Sequence, residues 1–183
     1  MHKYILIIMT TTNKITLDDK DRSVVWKRLC DLLKLENTTV SVIDACTSGL
    51  LHSRFTEFYG DSYNFFGGIS YDSRESVKKM IGLDEKDNVT SLASKKIAEE
   101  LCKACLKLFL SDVCVSATEC SRYDEHSLRV FICIIRVLEK TEFVEKCFVA
   151  SFMAIYDEAI SKVSMKDFIV DAIAEKLIHV LSL

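Results

Sequence analysis

Val40-Ser41-Val42-Ile43-Asp44-Ala45-Cys46-Thr47-Ser48-Gly49-Leu50-Leu51 is the stretch on which the fold of this chain turns. A β-branched run over 39–43 suits a buried strand. It passes through a small, polar turn at 44–48 into the apolar start of a helix. In layered α/β sheets, ligands bind at the carboxyl ends of strands, where the chain turns into helix. Small side chains let a ligand approach the backbone, and the N–H groups of a helix's first turn suit an oxyanion or phosphate. The plain structural alternative is that any strand-to-helix turn draws on Asp, Thr, Ser and Gly.

The same strand-then-helix order extends outward. Upstream, Val25, Leu29, Leu32 and Leu33 share one face of a helix that begins near Ser23, with Trp26 beside them, and Glu36-Asn37 ends it. Residues 1–20 read as an N-terminal extension. Downstream, a helix over 50–58 and a Gly60-Asp61-Ser62 loop lead to a strand over 65–71. A helix over 73–81 stops at Gly82, and Thr90 or Ser91 caps a longer one. That helix carries the apolar stripe Leu92, Ile97, Ala98, Leu101, Cys105 and Leu108. A short buried strand over 113–117 comes next. Then come a hairpin pair over 130–138 and 143–152, split by the charged turn Glu139-Lys140-Thr141-Glu142, and a terminal helix. Ser164 with Asp167 resembles a cap before Phe168, Ile169, Ile173 and Leu177. Alternating strands and helices succeeded by a hairpin predict an α/β layered domain with a mixed sheet over 21–183.

Composition narrows the function classes. The chain has 183 residues, 49% of them hydrophobic, which is enough for a real core and excludes a disordered chain. With 24 basic against 27 acidic residues there is no positive excess to drive nucleic-acid binding. No apolar run approaches the ~20 residues that cross a bilayer, so no membrane partner is expected. The expectation is a soluble intracellular protein, cytoplasmic or nuclear. Proline is absent, where ordinary usage predicts about nine. The eight cysteines read as small buried hydrophobes and not as a disulfide framework. Cys102 and Cys105 form a CxxC inside a helical pattern without a second ligand pair, so neither a metal nor a cofactor is expected.

The turn and the segments downstream of it resemble the CinA C-terminal domain family, whose bacterial members include nicotinamide-mononucleotide amidases. The family's Glu-Ser-Cys-Thr-Gly-Gly reads here as Asp44-Ala45-Cys46-Thr47-Ser48-Gly49, leading into Leu50-Leu51. The resemblance continues through Arg54-Phe55-Thr56-Glu57-Phe58-Tyr59-Gly60-Asp61-Ser62 and into Phe65-Phe66-Gly67-Gly68-Ile69-Ser70-Tyr71, the counterpart of a Phe-x-Gly-Gly strand. Ile81-Gly82-Leu83 answers a Leu-Gly-Val, and Val89-Thr90 answers the start of the next helix. Good matching covers about 39–110. The resemblance implies a three-layer α/β/α sandwich with a mixed sheet. It also implies ligand contacts at Asp44, Thr47, Ser48, Gly49, Gly68 and Tyr71.

The departures bear on function. The resemblance places the family's nucleophilic serine at Ala45, and a methyl group cannot attack a carbonyl. The lysine that would activate it falls on Ser76 counting from Tyr71, or on Val77 counting back from Gly82; Lys78 matches only with a shift of helix register. The glycine-rich loop after the central strand is replaced by Ala117-Thr118-Glu119-Cys120-Ser121-Arg122, with a carboxylate at Glu119 that would repel phosphate. A late Gly-Asp-Arg becomes Ala150-Ser151-Phe152. Cys46 and Thr47 are substitute nucleophiles, Asp44 a substitute base, and His52 and His126 have no visible partner. The leading expectation is a family member without amidase catalysis, acting as a binding or scaffold subunit. It would associate with itself or with an unidentified protein, through the apolar strand 131–135 or the stripe ending in Val180 and Leu181. The runner-up is a divergent nicotinamide-nucleotide amidase using Cys46, Thr47 or Ser48. Between them lies a sensor with residual nucleotide binding.

Overall fold

The computed structural model describes residues 4–10, 19–59, 64–83, 91–118, 121–124, 127–139, 144–155 and 162–182. In chain order the elements are β1 (Tyr4–Thr10), α1 (Asp19–Leu35), β2 (Val40–Asp44), α2 (Leu50–Tyr59), β3 (Phe65–Ser70) and α3 (Arg74–Met80). They continue with α4 (Lys95–Phe109), β4 (Val113–Ala117), β5 (Ser121–Asp124), β6 (Ser127–Glu139), β7 (Val144–Ile155) and α5 (Lys162–Leu181). All strands join one sheet, ordered β1-β7-β6-β4-β2-β3, with β5 paired to β6. β4, β2 and β3 run parallel, and β6 is antiparallel to both β4 and β7, so the sheet is mixed.

Strand alternation separates two cores. Val40 and Val42 of β2, Val113 and Val115 of β4, and Val130, Ile132 and Ile134 of β6 face α1, α2 and α5. Ile43, Cys114, Cys133 and Ile135 point the other way, toward Val77 of α3 and the α4 stripe Ile97, Ala98, Leu101, Cys102 and Cys105. Helices therefore cover both faces, which is the expected three-layer α/β/α sandwich. Every β2 residue is buried, as a central strand between two parallel neighbours requires.

Several expectations shift. Tyr4–Thr10, set aside with the extension, lies parallel to β7 at the sheet edge. β5 occupies a stretch read as loop. The long helix is capped by Ser94, whose side chain accepts from the Ile97 N–H, and not by Ser91; Thr90 lies outside the described residues. Ser164 falls inside α5, and Asp167 is no cap because it pairs with Arg54 of α2 at 2.8 Å. The stripe offered for partners turns inward: Ala172, Ile173, Leu177, Val180 and Leu181 are all buried against this chain's own core. Strand 131–135 is interior, between β4 and β7.

α5 is docked by polar contacts as well. Asp171, 2% exposed, accepts from Arg22 Nε at 2.6 Å and Trp26 Nε1 at 2.9 Å, tying α5 to α1. Among the described residues no helix is long and apolar enough to cross a membrane.

Candidate functional site

The carboxyl ends of β4, β2 and β3 meet at the turn after Asp44. The Ala45 N–H donates to the Ala117 carbonyl at 2.9 Å, and the Tyr71 N–H donates to the Asp44 carbonyl at 2.9 Å. The turn is thus held from both neighbouring strands.

Asp44 organises it from within. Fully buried, its carboxylate accepts N–H bonds from Cys46 at 2.9 Å, Thr47 at 2.7 Å and Gly49 at 2.9 Å, and also the Thr47 hydroxyl. Thr47 Oγ1 in turn accepts the Leu51 N–H at 3.1 Å. The Gly49 and Leu51 N–H groups belong to the start of α2, so Asp44 and Thr47 satisfy donors that the helix start leaves without intrahelical partners, while the Cys46 and Thr47 N–H groups fix the turn before it. The N–H groups of Cys46, Thr47 and Gly49, which the sequence offered to an oxyanion or phosphate, donate to Asp44. Asp44 thus accepts from four donors within the turn.

The remaining substitute groups are also engaged. Ser48 Oγ accepts from Lys166 Nζ of α5 at 2.7 Å, with Ser48 held at φ 56°, a left-handed backbone that favours glycine. Cys46 is disulfide-bonded, which corrects the reading of all eight cysteines as isolated hydrophobes. Cys30, Cys102, Cys105, Cys114 and Cys133 are free and buried, as expected. Gly68 serves packing on the α2 side of the sheet: a Cβ there would collide with Val42 Cγ2 and sit 3.0 Å from His52 Nδ1. His52 stands edge-on to the Phe65 ring, so it too is a packing residue. Glu119, Cys120 and His126 lie outside the described residues, as do the side chains of 150–152.

On the α3–α4 side of the turn is a cleft of about 190 Å³, lined by Ala45, Tyr71, Asp72, Ser73, Arg74, Val77, Leu92, Ile97 and Leu101. Ordinary small-molecule sites run ~300–1,000 Å³, so this one suits a group of about one ring. Of the ligand and catalytic positions taken from the family motif, Ala45, Tyr71 and Val77 line it. Val77 is its α3 wall; Lys78, one residue on, is not among the lining residues. The Tyr71 hydroxyl is buried without a hydrogen-bond partner among the described residues, and burial pushes its pKa up to about 12. Ser73 and Arg74 were missed, although Ser73 three residues before Ser76 is a cap signal: its side chain accepts the Ser76 N–H.

The strand–turn–helix at Asp44 beside a Gly-Gly strand, with helices on both faces of the sheet, lies within the stretch that the family comparison matches. The CinA C-terminal domain model covers residues 23–128. The chain belongs to the CinA C-terminal domain family. A CinA-like protein of Chlorobaculum tepidum is 30% identical over 108 residues, covering 58% of this chain and 24% of that protein. A CinA-like protein of Chloroherpeton thalassium is 32% identical over 89 residues, covering 48% and 21%. The chain therefore matches about a quarter of the length of these curated relatives. Among solved structures, the competence/damage inducible protein CihA from Agrobacterium tumefaciens superposes with a TM-score of 0.69. It does so at 18% identity, over 92% of this chain and all of that one. A CinA superfamily protein from Enterobacter cloacae gives 0.67 at 11% identity, over 93% and 98%. At such identities the structural likeness shows the fold of this CinA-type domain, not its activity.

Proposed function

We propose that this chain is a CinA C-terminal domain without amidase catalysis, serving as a binding or scaffold subunit. One observation carries the reading: at the carboxyl end of β2 the cleft is lined by the methyl group of Ala45, with no hydroxyl or thiol at that position. Losing a serine hydrolase's nucleophile costs about 10⁶ in turnover, so this substitution is no minor adjustment. The neighbours that could stand in are occupied: Thr47 by Asp44 and the Leu51 N–H, Ser48 by Lys166, Cys46 by its disulfide. Lys78 is off the cleft. The small cleft and the internally satisfied turn amides also weigh against a mononucleotide phosphate held as in the sensor reading.

The scaffold role is supported by apolar side chains left outside both cores: Leu35 is 84% and Leu110 74% exposed, with Val24 and Leu108 also exposed. They take the place of Val180 and Leu181, which are buried. Ammonia release from nicotinamide mononucleotide by the purified protein is the deciding assay. No release above background is expected. Turnover within about 10²-fold of the enzyme median of ~10 s⁻¹ would overturn the proposal. If activity appeared and Cys46→Ala abolished it under reducing conditions, the divergent-amidase reading would replace this one.

A further inference from the structure

Of the six large apolar side chains exposed among the described residues, five gather at one end of the domain. Leu35 closes α1 just before β2, Leu108 and Leu110 stand at the end of α4 just before β4, and Phe66 is the second residue of β3. Leu138 lies near the end of β6, which runs antiparallel to β4, so it reaches the same amino-terminal edge of the parallel strands. The cleft is at the opposite edge. The segments that carry the leucines are fixed to one another. Asp112 accepts the Thr39 N–H at 2.9 Å and the Thr39 hydroxyl at 2.6 Å, the Val137 N–H donates to the Asp112 carbonyl at 2.8 Å, and Arg136 pairs with Glu36 at 2.8 Å. Leu110 is also held at φ 55°, a helix-capping conformation in which glycine is the usual residue, and its side chain is nonetheless left in water.

Charge selects what covers this edge. Lys34 and Lys107 are exposed, next in sequence to Leu35 and Leu108, and have no carboxylate partner among the described residues; Lys34 Nζ lies 5.8 Å from the centre of the Tyr59 ring. The carboxylates of the same edge, Glu36 and Asp112, are engaged by Arg136 and Thr39. A second copy set against the edge would bring lysine toward lysine. Five side chains of this size also present only roughly 300–400 Å² of apolar area, so a two-fold pair would bury about 600–800 Å², short of the ~1,000 Å² that a stable interface clears. We propose that this edge docks on an anionic lipid surface, with its leucines entering the headgroup region and Lys34 and Lys107 meeting the lipid anions. Leucines at the tips of separate elements suit a fluid surface, which needs no matching contour, and such docking needs no membrane-spanning helix. The inference deepens the binding half of the proposed function and does not depend on the state of the cleft, so the ammonia assay and a vesicle assay fail separately.

The test is co-sedimentation of the full chain with sucrose-loaded phosphatidylcholine vesicles, with and without about 30 mol% phosphatidylserine, in about 0.1 M salt. Binding to the phosphatidylserine vesicles should exceed binding to phosphatidylcholine alone about fivefold or more, and should weaken toward ~1 M salt, where screening shortens to ~3 Å. Leu35→Ser with Leu110→Ser should cut binding about tenfold or more. Lys34→Gln with Lys107→Gln should remove the preference for phosphatidylserine. Val24→Ser is the control: Val24 is the sixth exposed apolar residue, eleven positions before Leu35 on α1 and so ~16 Å away, and its loss should leave binding unchanged. All the substituted side chains are exposed, so the variants should keep the wild-type melting temperature. A wild-type chain that stays in the supernatant, equal sedimentation by the two vesicle types, or an unmoved leucine variant would overturn the proposal. A dimer in sedimentation equilibrium that the serine substitutions dissociate, with nothing captured by vesicles, would overturn it in favour of self-association.

Discussion

Two buried aspartates hold this molecule together in opposite ways. Asp44 is satisfied by its own next five residues, through the N–H groups of Cys46, Thr47 and Gly49 and the Thr47 hydroxyl. Asp171 is satisfied by Arg22 and Trp26, 149 and 145 residues away in the chain. The first shapes one turn and forms as that turn forms. The second joins the last helix to the first and exists only after the sheet has brought them together. One contact is local geometry; the other is a tertiary decision, and they should fail differently.

The largest effect is expected at the distant pair. Asp171→Leu leaves the Arg22 guanidinium partly buried without its carboxylate and the Trp26 N–H without an acceptor. A loss of about 3–5 kcal/mol in chemical denaturation is expected. Replacing Arg22 by Met in the same chain should recover part of that loss, because a partly buried guanidinium that has lost the Asp171 carboxylate is removed. If the double variant were as unstable as the single one, the ion pair would not be what joins α1 to α5.

At the local aspartate the expected loss is smaller. Asp44→Asn keeps one acceptor oxygen but places an amide donor where N–H groups and a hydroxyl already donate. About 1–3 kcal/mol should be lost. Amide hydrogen exchange should rise at Cys46, Thr47 and Gly49 while the α1–α5 contact keeps its protection. Uniform acceleration across the whole chain would mean that the turn is not a separable unit.

The smallest effect concerns Ser48, whose left-handed backbone is eased in Ser48→Gly. Relief of about 1 kcal/mol is expected, offset by loss of the Lys166 contact, so the net change should stay within about 1 kcal/mol. A loss well beyond that would show that Lys166 anchors the turn to α5, which would erase the contrast between the two regions.

Burial also sets an alkaline signature in the cleft. The Tyr71 pKa, raised to about 12, means that the folded state holds that proton more tightly than the unfolded chain, whose tyrosines ionise near 10. Its contribution to stability is complete below about 10 and is lost as pH rises through about 12. Tyr71→Phe should flatten that part of the alkaline denaturation curve; an unchanged curve would show that the hydroxyl is solvated.

The sequence by itself determined the elements whose signals are local. β4 lies over 113–117 as predicted, and β2 and α2 are within a residue or two, because β-branched runs and apolar periodicity act over a few positions. The family motif around Asp44, and Ala45 within it, was likewise legible, since the motif is written in consecutive residues. Only the tertiary structure decided where β1 docks, that Val180 and Leu181 face inward, and that Asp167 and Asp171 pair with α2 and α1. It also decided which side of the sheet each predicted site residue serves, sending Gly68 to the α2 packing and Ala45 to the cleft. The physical reason is separation along the chain. Periodicity reports that a residue has a buried side, but the identity of what lies against it is set by elements a hundred or more residues away, and no local pattern encodes that choice.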